Sequence, residues 1–214
     1  MYLYYGSRNL FTKPTFGLGN ASNDYGLGFY MTPDKEMANL WASQYDNGGY
    51  SLKFKIDLSK LNILYLNTNS KKEILEWLTI LVSHRFDRDE YLQRKETIDW
   101  LINKYPITTD GYDMIVGYRA DDSYFKYSSD FVKNELSLEA LSSAMKLGRL
   151  GLQYVLISKK AFDLVEFVSY ERIPHSAAYE RFRLKTLNEY RDIKKIDNIN
   201  NTFIRDIMRR ENHD

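Results

Sequence analysis

The chain has no cysteine, which excludes disulfides, thiolate nucleophiles and the usual sulfur-rich zinc or iron-sulfur sites. Histidine is scarce too: His84, His175 and His213 are too scattered for metal-ligand spacing, so no metal is expected. There is no charge excess of either sign, because 30 Lys and Arg balance 29 Asp and Glu to leave a formal charge of +1. That balance gives no global field for drawing the protein onto nucleic acid. No apolar run approaches the roughly 18 to 20 residues that span a bilayer, and MYLYYGSRNL lacks the features of a signal peptide. The expectation is a soluble cytoplasmic protein with no membrane partner. At 214 residues, one core of ordinary size is expected. What is abundant is aromatic: 15% of the chain, including 18 tyrosines, side chains that offer stacking area and a polar tip together.

Periodicity predicts a mixed fold. YLYYG at 2–6 reads as a short strand running into a turn, and RNLFTKPTFGLGNASND, rich in glycine and small polar residues, as a long loop. Loops of that length in compact domains are often functional. GFYMT reads as a strand, and Pro33 and Asp34 open a helix carrying Met37, Leu40 and Trp41 at i, i+3, i+4. SLKFKIDL alternates strictly, and NILYL extends the sheet. Helices are expected over 71–83 and 88–104, a strand at YDMIVG, and a helical zone from about 122 to 145 with a break. Gly148 and Gly151 bracket a turn before LQYVLIS, a buried central strand. DLVEFVSY is a candidate final strand, and from Ser176 onward the mixed-charge sequence is helix-like with no sign of catalytic residues.

Two Gly-x-Gly pairs, GLGNAS and GLGFYM, fail the dinucleotide fingerprint because neither completes the third glycine inside a strand-helix-strand unit. Walker-type loops and Gly-x-Ser-x-Gly elbows are missing. The segment DYGLGFYMTPDKEMANLWAS carries more. Gly26 and Gly28 permit positive φ or close approach of a ligand, and the strand after them sends Phe29 and Tyr30 to opposite faces. Trp41, two turns into the next helix, can turn back over that strand, so Tyr30 and Trp41 can sandwich a planar heterocycle. Plain strand-helix packing is the competing reading. His84 and Arg85 are within reach of a pyrophosphate in principle, but a surface ion pair is the expectation for Arg85.

GLGFYMTPDKEMANLW resembles the ADP-ribosyltransferase stretch in which Gly-x-Gly-hydrophobic-Tyr enters a strand and a second aromatic follows eleven positions later. LYYGS is similar to the Tyr-His-Gly-Ser/Thr motif of that superfamily's first strand, and LQYVLIS to its Glu-Tyr-hydrophobic strand carrying the catalytic acid. DYGLGFYMT, YDMIVGYRADD and LQYVLIS together resemble a bacterial family grouped with these transferases and known mainly as a domain of unknown function. The resemblance covers residues 3–168. It implies an α+β fold with a split β-sheet core flanked by helices, a transferase-like domain at 1–170 and a helical C-terminal extension at 171–214. It also implies NAD⁺ as substrate, a macromolecular acceptor, and a toxin or defence role beside a cognate antitoxin or immunity protein.

Residue by residue, the Gly6 backbone would meet the nicotinamide carboxamide, with Tyr5 and Ser7 beside it and Gly28 in the approach. Tyr30 and Trp41 would stack on the ring, and Gln153 would stand at the catalytic glutamate. Tyr5 replaces the motif's histidine and Gln153 its acid, which leaves a degenerate, non-catalytic binder as the alternative. Asp121 and Asp122 are the nearest spare carboxylates, with a helix cap and a solvated neighbour as their plainer roles.

Overall fold

The computed structural model describes residues 1–67, 70–120, 122–145 and 151–211. Two sheets carry the architecture, as expected of a split β-sheet core flanked by helices. The first has the order β1 (Tyr2–Ser7), β3 (Gly49–Lys55), β7 (Glu166–Ile173), all antiparallel. The second has the order β2 (Phe29–Met31), β6 (Leu152–Leu156), β5 (Met114–Tyr118), β4 (Ile63–Leu66). In it β4 runs parallel to β5 and the other pairs are antiparallel. Among the described residues one isolated bridge joins the sheets: the Tyr4 N–H donates to Thr32 O at 2.7 Å and the Thr32 N–H to Tyr4 O at 2.9 Å. The seam between the sheets therefore opens where β1 and β2 part.

Helix caps explain where the helices begin. The Asp34 carboxylate accepts from the Glu36 and Met37 N–H groups and starts α1 (Lys35–Ser43), which turns Met37 and Trp41 inward. Ser70 caps α2 (Lys71–Arg85) through the Glu73 N–H. Asp87 and Glu90 form a reciprocal capping box at α3 (Arg88–Gln93). Each such cap contributes about 1 kcal/mol. The single helix expected over 88–104 is interrupted: Arg94 leaves helical backbone at φ −131° and ψ 21°, and α4 (Lys95–Lys104) starts after it. A hydrogen bond of 2.7 Å from the Tyr91 hydroxyl to Asp99 ties the two pieces together.

The helical zone after β5 is α5 (Asp122–Val132) and α6 (Leu138–Ala144), with the expected break carrying Asn134 at φ 63°. Gly151 has φ 62°, in keeping with a turn there, while Gly148 lies outside the described residues. DLVEFVSY is not wholly strand. Its first residues belong to α7 (Lys159–Leu164), capped by Ser158, whose hydroxyl accepts from the Ala161 N–H, and β7 begins only at Glu166.

Two cores form. One packs Leu3, Leu52 and Phe54 of the first sheet against Phe29, Met31, Met114, Val116 and Leu156 of the second. The other lies on the far face of the second sheet, where Ile115 and Val155 meet Trp77 and Leu78 of α2, with Tyr127 and Phe131 of α5 in the same cluster. Residues 171–173, expected in a helical extension, are the end of β7 and pair with β3; the chain after them forms α8 (Ala178–Ile196) and α9 (Ile204–Glu211), which join this second core through Tyr190, Ile204 and Ile207. Among the described residues no helix is long and apolar enough to cross a membrane.

Candidate functional site

A cavity of about 460 Å³ opens at the seam, within the range of small-molecule sites. Its wall includes Tyr5 of β1, Gly28, Tyr30 of β2, Trp41 of α1 and Gln153 of β6, five of the seven residues expected at a nicotinamide site. The register explains the convergence. Tyr30 pairs with Val155 across β2 and β6, so Gln153, two residues before Val155, lies diagonally across from Tyr30 on the same face. Such diagonal neighbours are about 7–8 Å apart.

Gly6 and Ser7 are not among the lining residues. A Cβ on Gly6 would stand 2.3 Å from Ala38 O and 2.6 Å from the Trp41 Cβ, so this glycine is what lets α1 lie against β1. Ser7 is buried at the end of β1, where its hydroxyl accepts from the Asn9 N–H at 3.2 Å. Asp121 and the side chain of Asp122 lie outside the described part of the structure.

The two motif glycines act by different means. Gly26 has φ 74°, a left-handed conformation that glycine adopts without strain. Gly28 passes so close to β6 that a Cβ would meet the Val155 Cγ1 at 2.6 Å and Leu156 O at 2.9 Å. Between them the turn is buckled by Tyr30, whose hydroxyl donates to Gly26 O at 2.6 Å and accepts from the Tyr25 N–H at 3.0 Å. Burial raises the pKa of this phenol, and it stays neutral.

Gln153 is 5% exposed, and its Oε1 has no hydrogen-bond partner among the described residues. Trp41 is 8% exposed with its Nε1 likewise unpartnered, and the Arg119 guanidinium lies over its ring at 4.2 Å. Buried polar atoms are normally paired, and these two lack a partner among the described residues, as do Asn39 Oδ1, Ser51 Oγ and Ser128 Oγ away from the cavity. Tyr5 closes the opposite side, packed on Phe29 with ring centroids 4.7 Å apart and on Phe11 at 5.8 Å. Burial raises its pKa also, with Tyr45 adding to the effect.

Nine further residues line the cavity, and four of them, Asp24, Arg85, Arg119 and Tyr179, bring ionisable groups to it. Asp24 is 4% exposed, and its two oxygens accept from Arg85 Nη1 at 2.9 Å and from the Ala120 N–H at 2.8 Å. Arg85 is thus no surface pair: it lines the cavity, bonded to Asp24 and to Ala120 O, with its guanidinium over the Phe125 ring at 4.8 Å. Arg119 and Tyr179 complete the set, the latter from α8 in the extension where no site residue was expected. Burial pushes the Asp24 carboxyl up to about 6 against the pull of Arg85, the Ala120 N–H and Arg119. Neighbouring Tyr25 is fully buried, with its hydroxyl donating to Tyr118 O at 2.5 Å; it fits because Gly117 offers no Cβ, which would come within 2.3 Å of that hydroxyl. Among the described residues no group of three acidic or histidine side chains is placed to hold a metal ion.

The site thus defines a class: a two-sheet α+β protein with an aromatic and amide-lined cleft at its seam. Residues 1–167 match the family described as "Protein of unknown function (DUF3990)", and the chain belongs to that family. Among curated proteins and among solved structures nothing matches. The matched span ends before Tyr179, so α8 adds a lining residue from beyond it.

Proposed function

We propose that this protein binds NAD⁺ in the seam cavity and transfers its ADP-ribose to a macromolecular acceptor. The observation that supports it best is the convergence of Tyr5, Gly28, Tyr30, Trp41 and Gln153 on one cavity. These residues were singled out by resemblance to the ADP-ribosyltransferases, and they are scattered over 149 positions of sequence, from 5 to 153. Tyr30 would stack on the nicotinamide ring, and Trp41 would do so once the Arg119 guanidinium, which lies over its ring at 4.2 Å, moves aside. Gln153 Oε1 is closed off from solvent, and a turn of its side-chain amide would let it accept from the ribose 2′-hydroxyl and so satisfy an otherwise unpaired acceptor. Orientation of the ribose of this kind lowers the barrier for loss of nicotinamide through an oxocarbenium-like state. A role as a bacterial cytoplasmic toxin or defence effector, held by a cognate antitoxin or immunity protein, follows from the resemblance alone.

One observation favours a second reading, a degenerate binder of nucleotide or protein: Gln153 is neutral where the transferases carry an acid, so it cannot stabilise developing positive charge. Incubation of the purified protein with labelled NAD⁺ and a bacterial lysate separates the two. Label on a macromolecule is the expected result; saturable NAD⁺ binding with no transfer would select the binder.

A further inference from the structure

If the cavity turns NAD⁺ over, a proton must leave the attacking nucleophile, and Gln153 is not a base. The charged residues lining the cavity are Asp24, Arg85 and Arg119, so Asp24 is the only carboxylate among the described lining residues. Each of its oxygens accepts one hydrogen bond, from Arg85 and from the Ala120 N–H. A carboxylate has about four acceptor sites, so these two bonds do not exhaust it, and 6% of its side chain is exposed where it lines the cavity. Its position is also favourable: the next residue, Tyr25, gives its N–H to the Tyr30 hydroxyl, so Asp24 sits at the phenolic end of the ring proposed to carry the nicotinamide.

We propose that Asp24 is the general base of the cavity, a catalytic residue distinct from the position that carries the acid in the resembled family. This rests on the transferase reading. In the step, the nucleophile's O–H bond breaks and its proton passes to an Asp24 oxygen. The freed electron pair forms a bond to ribose C1′ as the bond from C1′ to the nicotinamide nitrogen breaks. The electron pair of that broken bond stays on the ring nitrogen, and nicotinamide leaves neutral. Asp24 then returns its proton to water. A carboxyl held at about 6 is ionised at neutral pH yet basic enough to take a proton, the compromise that general bases need.

The groups facing Asp24 are Arg85 from α2, Arg119 after β5, Tyr25 on its own loop and Tyr30 on β2. The two tyrosines are neutral, their pKa values raised by burial. His84 must be separated from Asp24, because its ring packs on Gly26 and burial lowers its pKa below the usual 6.5.

The experiment measures NAD⁺ hydrolysis, with water as acceptor, from pH 5 to 8, beside calorimetric NAD⁺ affinity. Wild type should lose about tenfold in rate per pH unit below about 6. Asp24→Asn should bind NAD⁺ within about threefold of wild type, hydrolyse it at least about 100-fold more slowly, and lack the acidic limb. Formate should restore part of the rate to Asp24→Ala, which no purely structural role would allow, and His84→Gln should keep the limb. Asp24→Asn hydrolysing within about threefold of wild type, or an acidic limb lost in His84→Gln instead, overturns the assignment. If Asp24→Asn folds poorly, absence of formate rescue in Asp24→Ala overturns it equally. A wild type that binds NAD⁺ without hydrolysing or transferring it sinks the transferase reading itself, a result distinct from active wild type with active Asp24→Asn.

Discussion

Tyr30 has two separable jobs, and Tyr30→Phe divides them. Its hydroxyl spans the glycine turn, with one bond of 2.6 Å to Gly26 O and one of 3.0 Å from the Tyr25 N–H. Both backbone partners belong to buried residues, so removing the hydroxyl leaves a donor and an acceptor unsatisfied. At about 1–3 kcal/mol for each group, less what water entering the cavity recovers, the loss should be about 2–4 kcal/mol. For a chain of this size that lowers Tm by roughly 5–15 °C, measurable by circular dichroism melting. The ring survives in the phenylalanine, so NAD⁺ affinity should fall by less than about threefold, whereas Tyr30→Ala should lose about 1–3 kcal/mol of binding. An unchanged Tm would refute the claim that this hydroxyl holds the turn. Equal weakening of binding in both variants would refute the claim that the ring face, rather than the hydroxyl, meets the ligand.

Asp113→Ala tests the support beneath β5 and β6: its carboxylate accepts from the Asn62 N–H at 2.9 Å, Ser158 Oγ at 2.7 Å and Lys160 Nζ at 2.8 Å. The loss in urea unfolding at pH 7 should be about 2–4 kcal/mol. These partners, Lys160 foremost, hold the carboxyl down to about 2 against an ordinary 3.8, so its contribution is complete above about pH 4 and fades as pH falls to 2. Wild type and variant should therefore converge in stability near pH 2, and a constant gap would count against the mechanism. Gln153→Glu should raise NAD⁺ hydrolysis by about 10²-fold, or roughly 2–3 kcal/mol of added electrostatic stabilisation. Unchanged or slower hydrolysis in a nicotinamide-release assay would show that the reacting ribose lies elsewhere.

Much of the frame was legible because it is written locally. Alternation in SLKFKIDL marks β3, the Asp34 cap marks α1, and the two glycines before Phe29 mark a constrained turn, though not that one serves φ and the other the approach of β6. The Tyr30 and Trp41 pair was legible in the local strand and helix pattern, but bringing Tyr5 and Gln153 to it came only from resemblance, since pairing across 125 positions leaves no local trace. Asp24 was missed for the same reason. Among Asn, Ser and Gly it looks like any solvated loop acid, and its partners Arg85 and Ala120 are 61 and 96 positions away. Arg85 in turn looked like a surface charge at a helix end. Tyr179 sits on a helix whose sequence is dominated by exposed charge, and only packing of α8 beside α1 brings it to the cavity. By contrast the α7 start was readable: Ser158 before KKAFDL is an ordinary N-cap, obscured by the β-branched residues that follow it.

The central claim is that the seam cavity is an NAD⁺ site, and isothermal titration of NAD⁺ into wild type and Trp41→Ala tests it most directly. Wild type should bind at one site per chain, and Trp41→Ala, if it remains folded, should bind more weakly by about 1–3 kcal/mol, or roughly 5- to 150-fold in Kd. No heat of binding in wild type, or equal affinity in the two proteins, would contradict the account and return Trp41 to a purely structural role between α1 and the second sheet.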